Sequence, residues 1–191
     1  MEIKTLSPAD ARLAASLAQV VFRGSIEPNS PIPQMHAMFY EYADEDRIAQ
    51  LVADGQLTVW GAFEEGYLCG MGAMQPEGHI TMLYVLAQWT KRGIGTALLQ
   101  TMQKCAFEER KLTRLTVNAY PIWTVGFFRK FQFKNSKEQS PRGEFVSMAI
   151  DLKGIKVYRK RSFPATAMAV SAFVVLGVAL LTAICYIVFY L

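Results

Sequence analysis

Residues 81–102 read TMLYVLAQWTKRGIGTALLQTM, and the order of residue types in this stretch decides the fold. The stretch begins with an apolar run that has no polar face, which is typical of a strand at the centre of a sheet. Gly93 and Gly95 follow, and apolar residues then recur at helical spacing. The sequence therefore predicts a central strand over 79–86, a glycine loop and an amphipathic helix over 94–110.

A glycine loop that leads from a strand into a helix is typical of a phosphate or pyrophosphate site. The first N–H groups of a helix have no intrahelical partner, and the helix dipole adds about half a positive charge there. The two glycines let the backbone approach a ligand without a Cβ, and Lys91 and Arg92 add full charges. A dinucleotide-binding fingerprint would need a third glycine where Leu98 stands, and a P-loop would need Gly-Lys-Ser/Thr. A basic turn before a helix is the alternative interpretation.

The rest of residues 1–152 predicts an α+β domain with a mixed sheet. The expected order is a strand, two helices, three antiparallel-type strands, a helix, a strand, a helix and a strand. The strands are expected at 2–6, 57–63, 67–74, 79–86, 114–119 and 144–152, and the helices after Ser7, within 35–54, at 94–110 and at 122–131.

Three details of this prediction are specific enough to be tested. Ser7 and Pro8 are typical of a helix start, and Leu13, Leu17 and Val20/Val21 are expected to form the apolar face of that helix. Residues 24–33 contain three prolines and are expected to be a loop. Glu64-Glu65-Gly66 predicts a tight hairpin turn.

The stretch 81–102, followed by LTVNAYPIWTVGFFRKFQF at 115–133, resembles the GNAT superfamily of acyl-CoA-dependent N-acyltransferases. The resemblance covers residues 1–151. It implies the GNAT fold, with a mixed central sheet flanked by helices, acetyl-CoA as co-substrate without a metal, and an amine acceptor. The family signature Gln/Arg-x-x-Gly-x-Gly/Ala falls on residues 90–95, where Thr90 departs from its first position.

The resemblance also implies which residues bind the cofactor. In the family the loop amides hold the pyrophosphate, and the backbone of the preceding strand, which splays from its neighbour, pairs with the pantetheine arm. The cofactor-binding residues carried over to this chain are Leu83, Tyr84, Val85, Lys91, Arg92, Gly93, Ile94, Gly95, Thr96, Asn118 and Phe128.

Acyl transfer also needs a base for the amine and a proton for the departing thiolate. His79 lies where several family members place a base, and its ordinary pKa near 6.5 suits the task. Glu77 is the neighbouring alternative, and a purely structural His79 is a further one. Phe128 stands where the family has the tyrosine that protonates the thiolate, so Tyr84 and Tyr120 are possible substitutes. A catalytically impaired CoA-binding sensor or interaction protein is therefore the alternative to an active enzyme.

The acceptor is not named by the sequence. In this family the acceptor side is built by the first helices, here residues 24–42, which are apolar and aromatic with little charge. That composition favours a hydrophobic or bulky amine over a polycation, although the same residues are equally expected to pack on the sheet.

Residues 163–191 contain no Asp, Glu, Lys, Arg or His in 29 residues and predict a single-pass transmembrane helix. Residues 1–152 carry 15 Lys and Arg against 16 Asp and Glu, whereas residues 153–162 carry five cations and no acid. The chain's net charge of +4 therefore comes from a basic juxtamembrane linker and does not indicate nucleic-acid binding. The positive-inside rule predicts a cell-membrane protein with membrane lipid around its C-terminal helix and a cytoplasmic N-terminal domain.

Three widely spaced cysteines form no disulfide or metal pattern.

Overall fold

The structure is a computed structural model, and it describes residues 1–30, 32–136 and 144–153. This part of the chain contains seven strands and five helices, with short π or 3₁₀ turns at several helix ends. In chain order the elements are β1 (Glu2–Thr5), α1 (Pro8–Val21), α2 (Pro33–Tyr42), α3 (Glu45–Ala53), β2 (Thr58–Glu64), β3 (Tyr67–Met74), β4 (His79–Val85), α4 (Ile94–Lys104), β5 (Arg114–Ala119), α5 (Val125–Lys130), β6 (Lys134–Asn135) and β7 (Val146–Asp151).

All seven strands form one mixed sheet in the order β1-β2-β3-β4-β5-β7-β6. Every neighbouring pair is antiparallel except β4 and β5, which run parallel. The predictions of a mixed sheet and of β4 as its central strand are therefore confirmed. The hairpin between β2 and β3 is also confirmed, because Glu65 and Gly66 both adopt positive φ, as a tight two-residue turn requires.

The sheet separates two apolar layers. On one face α4 packs with its buried residues Ile94, Leu98, Leu99 and Met102, in one cluster with Leu115 and Val117 of β5. On the other face α1 and α3 pack against β2, β3 and β4 in a second cluster. We call these the α4 face and the α1 face.

The structure confirms the start of α1 but corrects its apolar side. The hydroxyl of Ser7 accepts a hydrogen bond from the backbone N–H of Asp10, so the predicted cap is present. Leu13 and Val20, however, are 64% and 59% exposed. The helix instead buries Leu17 and four small residues, Ala11, Ala14, Ala15 and Ala18, because alanine lets its backbone lie close to the sheet and α3.

Two further expectations were incomplete. Much of 24–33, predicted as a loop, is helical, since α1 continues through a π-turn at Phe22–Ile26 and a 3₁₀ turn at Glu27–Asn29, and α2 begins at Pro33. Pro28 and Pro33 lie in first turns, where a missing N–H costs no intrahelical bond. The two-residue strand β6 was not predicted, because it is too short to show any periodicity.

The predicted membrane span at 163–191 lies outside the described residues, as does nearly all of the predicted linker 153–162. Within the described part of the chain, no helix has the length and apolar character needed to cross a membrane.

Candidate active site

The site begins where the parallel strands part. β4 and β5 pair only through His79 with Thr116 and Ile80 with Val117. In β4 the pairing with β3 passes from Ile80 to Met82, so Thr81 is an extra residue that bends the strand at this point. The backbone of the rest of β4 therefore has no ladder partner on its β5 side, which leaves a fork in the centre of the sheet. The predicted splay is present.

A cavity of about 780 Å³ occupies this fork. Leu83 and Val85 line it and pack with the cluster on the α4 face, whereas Met82 and Tyr84 line it and pack with the cluster on the α1 face. Because alternate β4 side chains belong to opposite layers, the cavity extends from one face of the sheet to the other. Such a cavity can bring together two ligands that enter from opposite faces.

On the α4 face, the cavity meets the start of α4. Gly93 is the N-cap with φ 85°, and no side chain caps the helix. The first hydrogen bond of the helix runs from Ala97 N–H to Gly93 C=O at 2.9 Å, so the N–H groups of residues 94–96 lie in the turn that has no intrahelical acceptors. A Cβ at Gly95 would lie 3.7 Å from the ring of Phe127, so that a larger side chain would enter the space beside the cavity.

The structure separates the predicted loop residues into two groups. Thr90 and Gly95 line the cavity, and Ile94 is buried beneath it in the core. Lys91 and Arg92 are exposed and do not line it, and the Arg92 guanidinium lies 4.6 Å from the ring centroid of Trp89. Gly93 and Thr96 are likewise outside the lining, although they adjoin it in sequence. The described cavity thus reaches the helix N-terminus, and the two cations lie outside its lining in the preceding loop.

His79 lies at the last rung before the fork. Its Nδ1 is 2.8 Å from Thr116 Oγ1, and the side chain is half-buried and lines the cavity. Ile80 belongs to the cluster on the α4 face, so alternation places His79 on the α1 face. Burial lowers the pKa of His79 below its ordinary 6.5, and the charge of Glu77 opposes that shift only in part. The imidazole is therefore predominantly neutral at pH 7, which is the form that can accept a proton.

Glu77, the alternative base, has a different position. It is exposed in the turn between β3 and β4 and does not line the cavity. Of the two candidate bases, the structure brings only His79 to the fork.

Three aromatic side chains bear on the missing acid. Phe128 is buried on the α4 face, lines the cavity and packs edge-on against Phe127 and Phe133. Tyr84 and Tyr120 also line the cavity; burial, with a smaller effect from Tyr120, raises the pKa of Tyr84 far above its ordinary value. The hydroxyl of Tyr120 forms a hydrogen bond with Ser30. This bond connects the end of β5 to the segment that follows α1.

Asn118, predicted to contact the pantetheine arm, lines the cavity from β5. Its side chain is exposed, and its Oδ1 accepts a hydrogen bond of 2.9 Å from the Ser147 hydroxyl. Since Asn118 lies beyond the last residue pair of β4 and β5, it stands on the branch of the fork opposite Leu83 and Val85.

On the α1 face, the cavity is lined by side chains of α2 and of the π-turn that continues α1. Phe22 and Phe39 stack with ring centroids 3.8 Å apart, and Tyr84 meets Phe39 edge-on at 5.7 Å. We call the group that lines this side the α1–α2 wall, and it consists of Phe22, Met35, Met38, Phe39 and Tyr42. The hydroxyl of Tyr42 is buried and has no hydrogen-bond partner among the described residues.

Several of these residues were not predicted individually. Thr116 had no signal, because a threonine in a strand is ordinary and only the register shows that it meets His79. Phe22 was missed because the helix was expected to end before Gly24. Among the described residues, no group of three or more His, Cys, Asp or Glu side chains could hold a metal ion.

This chain belongs to the GNAT family of acetyltransferases: residues 21–152 match the acetyltransferase (GNAT) domain. It is thus a GNAT-type N-acetyltransferase, as the resemblance implied, and the GNAT fold with its mixed seven-stranded sheet is confirmed. No curated protein has a sequence that matches the chain.

Solved structures share the fold at low sequence identity. A GCN5-related N-acetyltransferase from Rhodopseudomonas palustris is 22% identical with a TM-score of 0.66, over 78% of this chain and 94% of that one. The PaiA N-acetyltransferase from Thermoplasma acidophilum, solved in complex with coenzyme A, is 18% identical with a TM-score of 0.64, over 78% and 98%. GCN5 from Tetrahymena is 15% identical with a TM-score of 0.55, over 80% and 96%.

Proposed function

We propose that the protein is a membrane-anchored N-acetyltransferase that moves the acetyl group of acetyl-CoA to an amine, with His79 as the general base. The observation that carries this proposal is the fork between β4 and β5. It joins a helix N-terminus with unbonded N–H groups on the α4 face to a neutral imidazole on the α1 face, through one cavity.

The residues of the α4 face fit acetyl-CoA. The N–H groups of residues 94–96 and the positive end of the α4 dipole suit a pyrophosphate, and Lys91 and Arg92 add charge in the loop before the helix. The unpaired β4 backbone from Leu83 to Val85 offers hydrogen bonds to the amides of a pantetheine arm. The α4-face side chains Leu83, Val85, Phe127 and Phe128 provide an apolar lining for that arm.

The reaction is an addition and elimination at the thioester carbonyl. The neutral amine attacks the carbonyl carbon, a C–N bond forms, and the C–S bond breaks to release CoA as a thiolate. His79 takes one proton from the attacking nitrogen, directly or through a water. If Nδ1–H donates to Thr116 Oγ1, the Nε2 lone pair faces away from that bond and is the accepting site.

The thiolate needs a proton that Phe128 cannot supply. Tyr120 is the hydroxyl we assign to this step, because it lines the cavity and its hydrogen bond with Ser30 fixes its orientation. Tyr84 is the poorer donor, since its raised pKa makes it a much weaker acid.

Membrane anchoring is supported by the sequence. The uncharged 29 residues at 163–191 are long enough to span a bilayer, and the five cations of 153–162 favour a cytoplasmic domain. We expect the full chain to stay with membranes after carbonate extraction and a chain truncated after Leu152 to be released. A full-length protein that appears in the soluble fraction would contradict the anchor.

A second candidate is a CoA-binding sensor without catalysis, which Thr90, Phe128 and Gln132 favour because all three depart from the family pattern. One experiment separates the two. Detergent-solubilised full-length protein is incubated with acetyl-CoA and a panel of primary amines, and both free CoA and the acetylated amine are measured. We expect equal amounts of the two products. Acetyl-CoA binding by calorimetry without either product would establish the sensor instead.

A further inference from the structure

The acceptor side of the cavity has a distinctive charge pattern. Among the described residues that line the cavity, none is Asp, Glu, Lys or Arg, so His79 is the one side chain there that can become charged near neutral pH. An enzyme that selects a polyamine or a lysine in a basic segment needs carboxylates to pair with the additional cations, because a buried unpaired charge is costly. This lining offers no such partner.

The carboxylates near the wall in sequence are already engaged. Glu41, which precedes Tyr42, pairs with Arg47 at 3.3 Å and does not line the cavity. Glu27 follows the π-turn that contains Phe22, but it does not line the cavity. Its Oε2 accepts a hydrogen bond of 2.7 Å from the hydroxyl of Tyr40, and the guanidinium of Arg23 lies over the same tyrosine ring at 5.9 Å. Both carboxylates therefore have partners already, and neither belongs to the cavity lining.

The α1–α2 wall presents rings and thioethers in place of charges. Phe22 and Phe39 form a stacked pair, and Met38, although it lines the cavity, is 62% exposed. Trp123, on the loop after β5, also lines the cavity and is 59% exposed. Large apolar side chains that remain exposed around a cavity mouth mark a surface for an apolar ligand.

We infer that the acceptor is a primary amine on a single apolar body of alkyl-chain or aromatic-ring size, which packs against the α1–α2 wall while its nitrogen reaches the fork. This inference rests on the proposed function and names its substrate class. With the imidazole neutral, no described side chain of the lining is charged at pH 7, which suits an acceptor with an uncharged body.

A matched series of amines tests the inference with the full-length protein. Butylamine and hexylamine differ by two methylenes, and 1,6-diaminohexane adds one ammonium to hexylamine. We expect kcat/KM to rise by about fourfold per methylene from butylamine to hexylamine, as burial of each CH₂ predicts. We expect 1,6-diaminohexane to be at least about tenfold poorer than hexylamine, because its second charge would be buried without a partner.

Two exposed positions provide a variant and its control. Met38→Glu places a carboxylate in the wall, and we expect it to raise the ratio of 1,6-diaminohexane to hexylamine kcat/KM by about threefold or more. Leu13→Glu makes a similar change on α1 at 64% exposure and outside the cavity lining, so it should leave the ratio unchanged.

The outcomes separate the inference from the proposed function. Acetylation of 1,6-diaminohexane as efficient as that of hexylamine, or equal kcat/KM for butylamine and hexylamine, overturns the inference and leaves the acetyltransferase standing. Equal ratios in Met38→Glu and Leu13→Glu place the acceptor away from the α1–α2 wall and also overturn it. Release of no CoA with any amine, while acetyl-CoA binds, overturns the proposed function and the inference together.

Discussion

The α4 face and the α1 face of the cavity are built to hold ligands by different means. On the α4 face the contacts are backbone groups. They are the first N–H groups of α4, which follow Gly93, and the edge of β4 that has no partner strand. On the α1 face they are side chains, the stacked rings of Phe22 and Phe39 with Met35, Met38 and Tyr42. Backbone contacts depend on chain conformation and tolerate many side chains, whereas the wall changes its chemistry with each substitution. One side of this fold is therefore suited to a constant cofactor, and the other to a specific acceptor.

His79 lies between the two faces, so its removal should give the largest effect. We expect His79→Ala to lower kcat by about 10²-fold, the usual contribution of a positioned base, with little change in the Kd for acetyl-CoA. Glu77→Gln is the matched control, because Glu77 is exposed and outside the cavity lining, and it should keep most of its activity. An equal loss in both variants would assign the base to Glu77 or to a shared network.

The glycine loop should affect the cofactor alone. We expect Gly93→Val to weaken acetyl-CoA binding at least tenfold, or about 1.4 kcal/mol, in calorimetry. Gly93 has φ 85°, which a β-branched residue rarely adopts, so the variant must distort the start of α4.

Gly66→Val is the control for strain. Gly66 has φ 83° and, like Gly93, no atom within 4 Å of its added Cβ, but it lies in the hairpin between β2 and β3. The Gly66→Val variant should destabilise the fold without changing the Kd for acetyl-CoA. If both variants bind acetyl-CoA equally, backbone strain and not the loop would explain any loss.

The pH dependence reports the protonation state of His79. Its pKa is lowered in the folded protein, so the neutral base persists below the ordinary value of 6.5. We expect kcat/KM to fall on the acid side of the pH profile with a midpoint below pH 6.5. This fall should be absent from the residual activity of His79→Ala. The same shift should weaken folding as pH drops below 6.5, because the unfolded chain binds the proton more readily. A limb centred above 6.5 would mean that another group titrates.

The smallest expected effect concerns the wall. Tyr42 has a buried hydroxyl without a hydrogen-bond partner in the described part of the chain. Tyr42→Phe removes a polar atom that is desolvated without compensation, so the free energy of unfolding should stay equal or rise by up to about 1 kcal/mol. Tyr120→Phe removes the hydrogen bond with Ser30 and should lower the free energy of unfolding. A loss in Tyr42→Phe as large as that in Tyr120→Phe would show that Tyr42 has a partner.

The same contrast explains what the sequence could predict. The α4 face was predictable because a strand, glycines and a helix that follow one another show a local pattern. β4 and β5 were predicted close to their observed bounds, and the helix predicted at 94–110 corresponds to α4 together with the π-turn Cys105–Glu109 that continues it. The α1–α2 wall was not predictable. Phe22 lies in a π-turn whose amino-acid composition is typical of a loop. The hydrophobic period of α1 does not distinguish its buried alanine face from the face that carries the exposed Leu13 and Val20. The contact of His79 with Thr116 depends on strand register, which is a property of the whole sheet.

Hydrogen exchange on the full-length protein, read by mass spectrometry, tests the division between the two faces most directly. Acetyl-CoA alone should slow exchange in peptides that cover the glycine loop and the start of α4, residues 90–97, and leave α2 unchanged. Adding hexylamine in the presence of the product CoA should then slow exchange in α2, from Pro33 to Tyr42. Protection of α2 by acetyl-CoA alone, or of residues 90–97 by the amine alone, would contradict a cofactor on the α4 face and an acceptor on the α1 face.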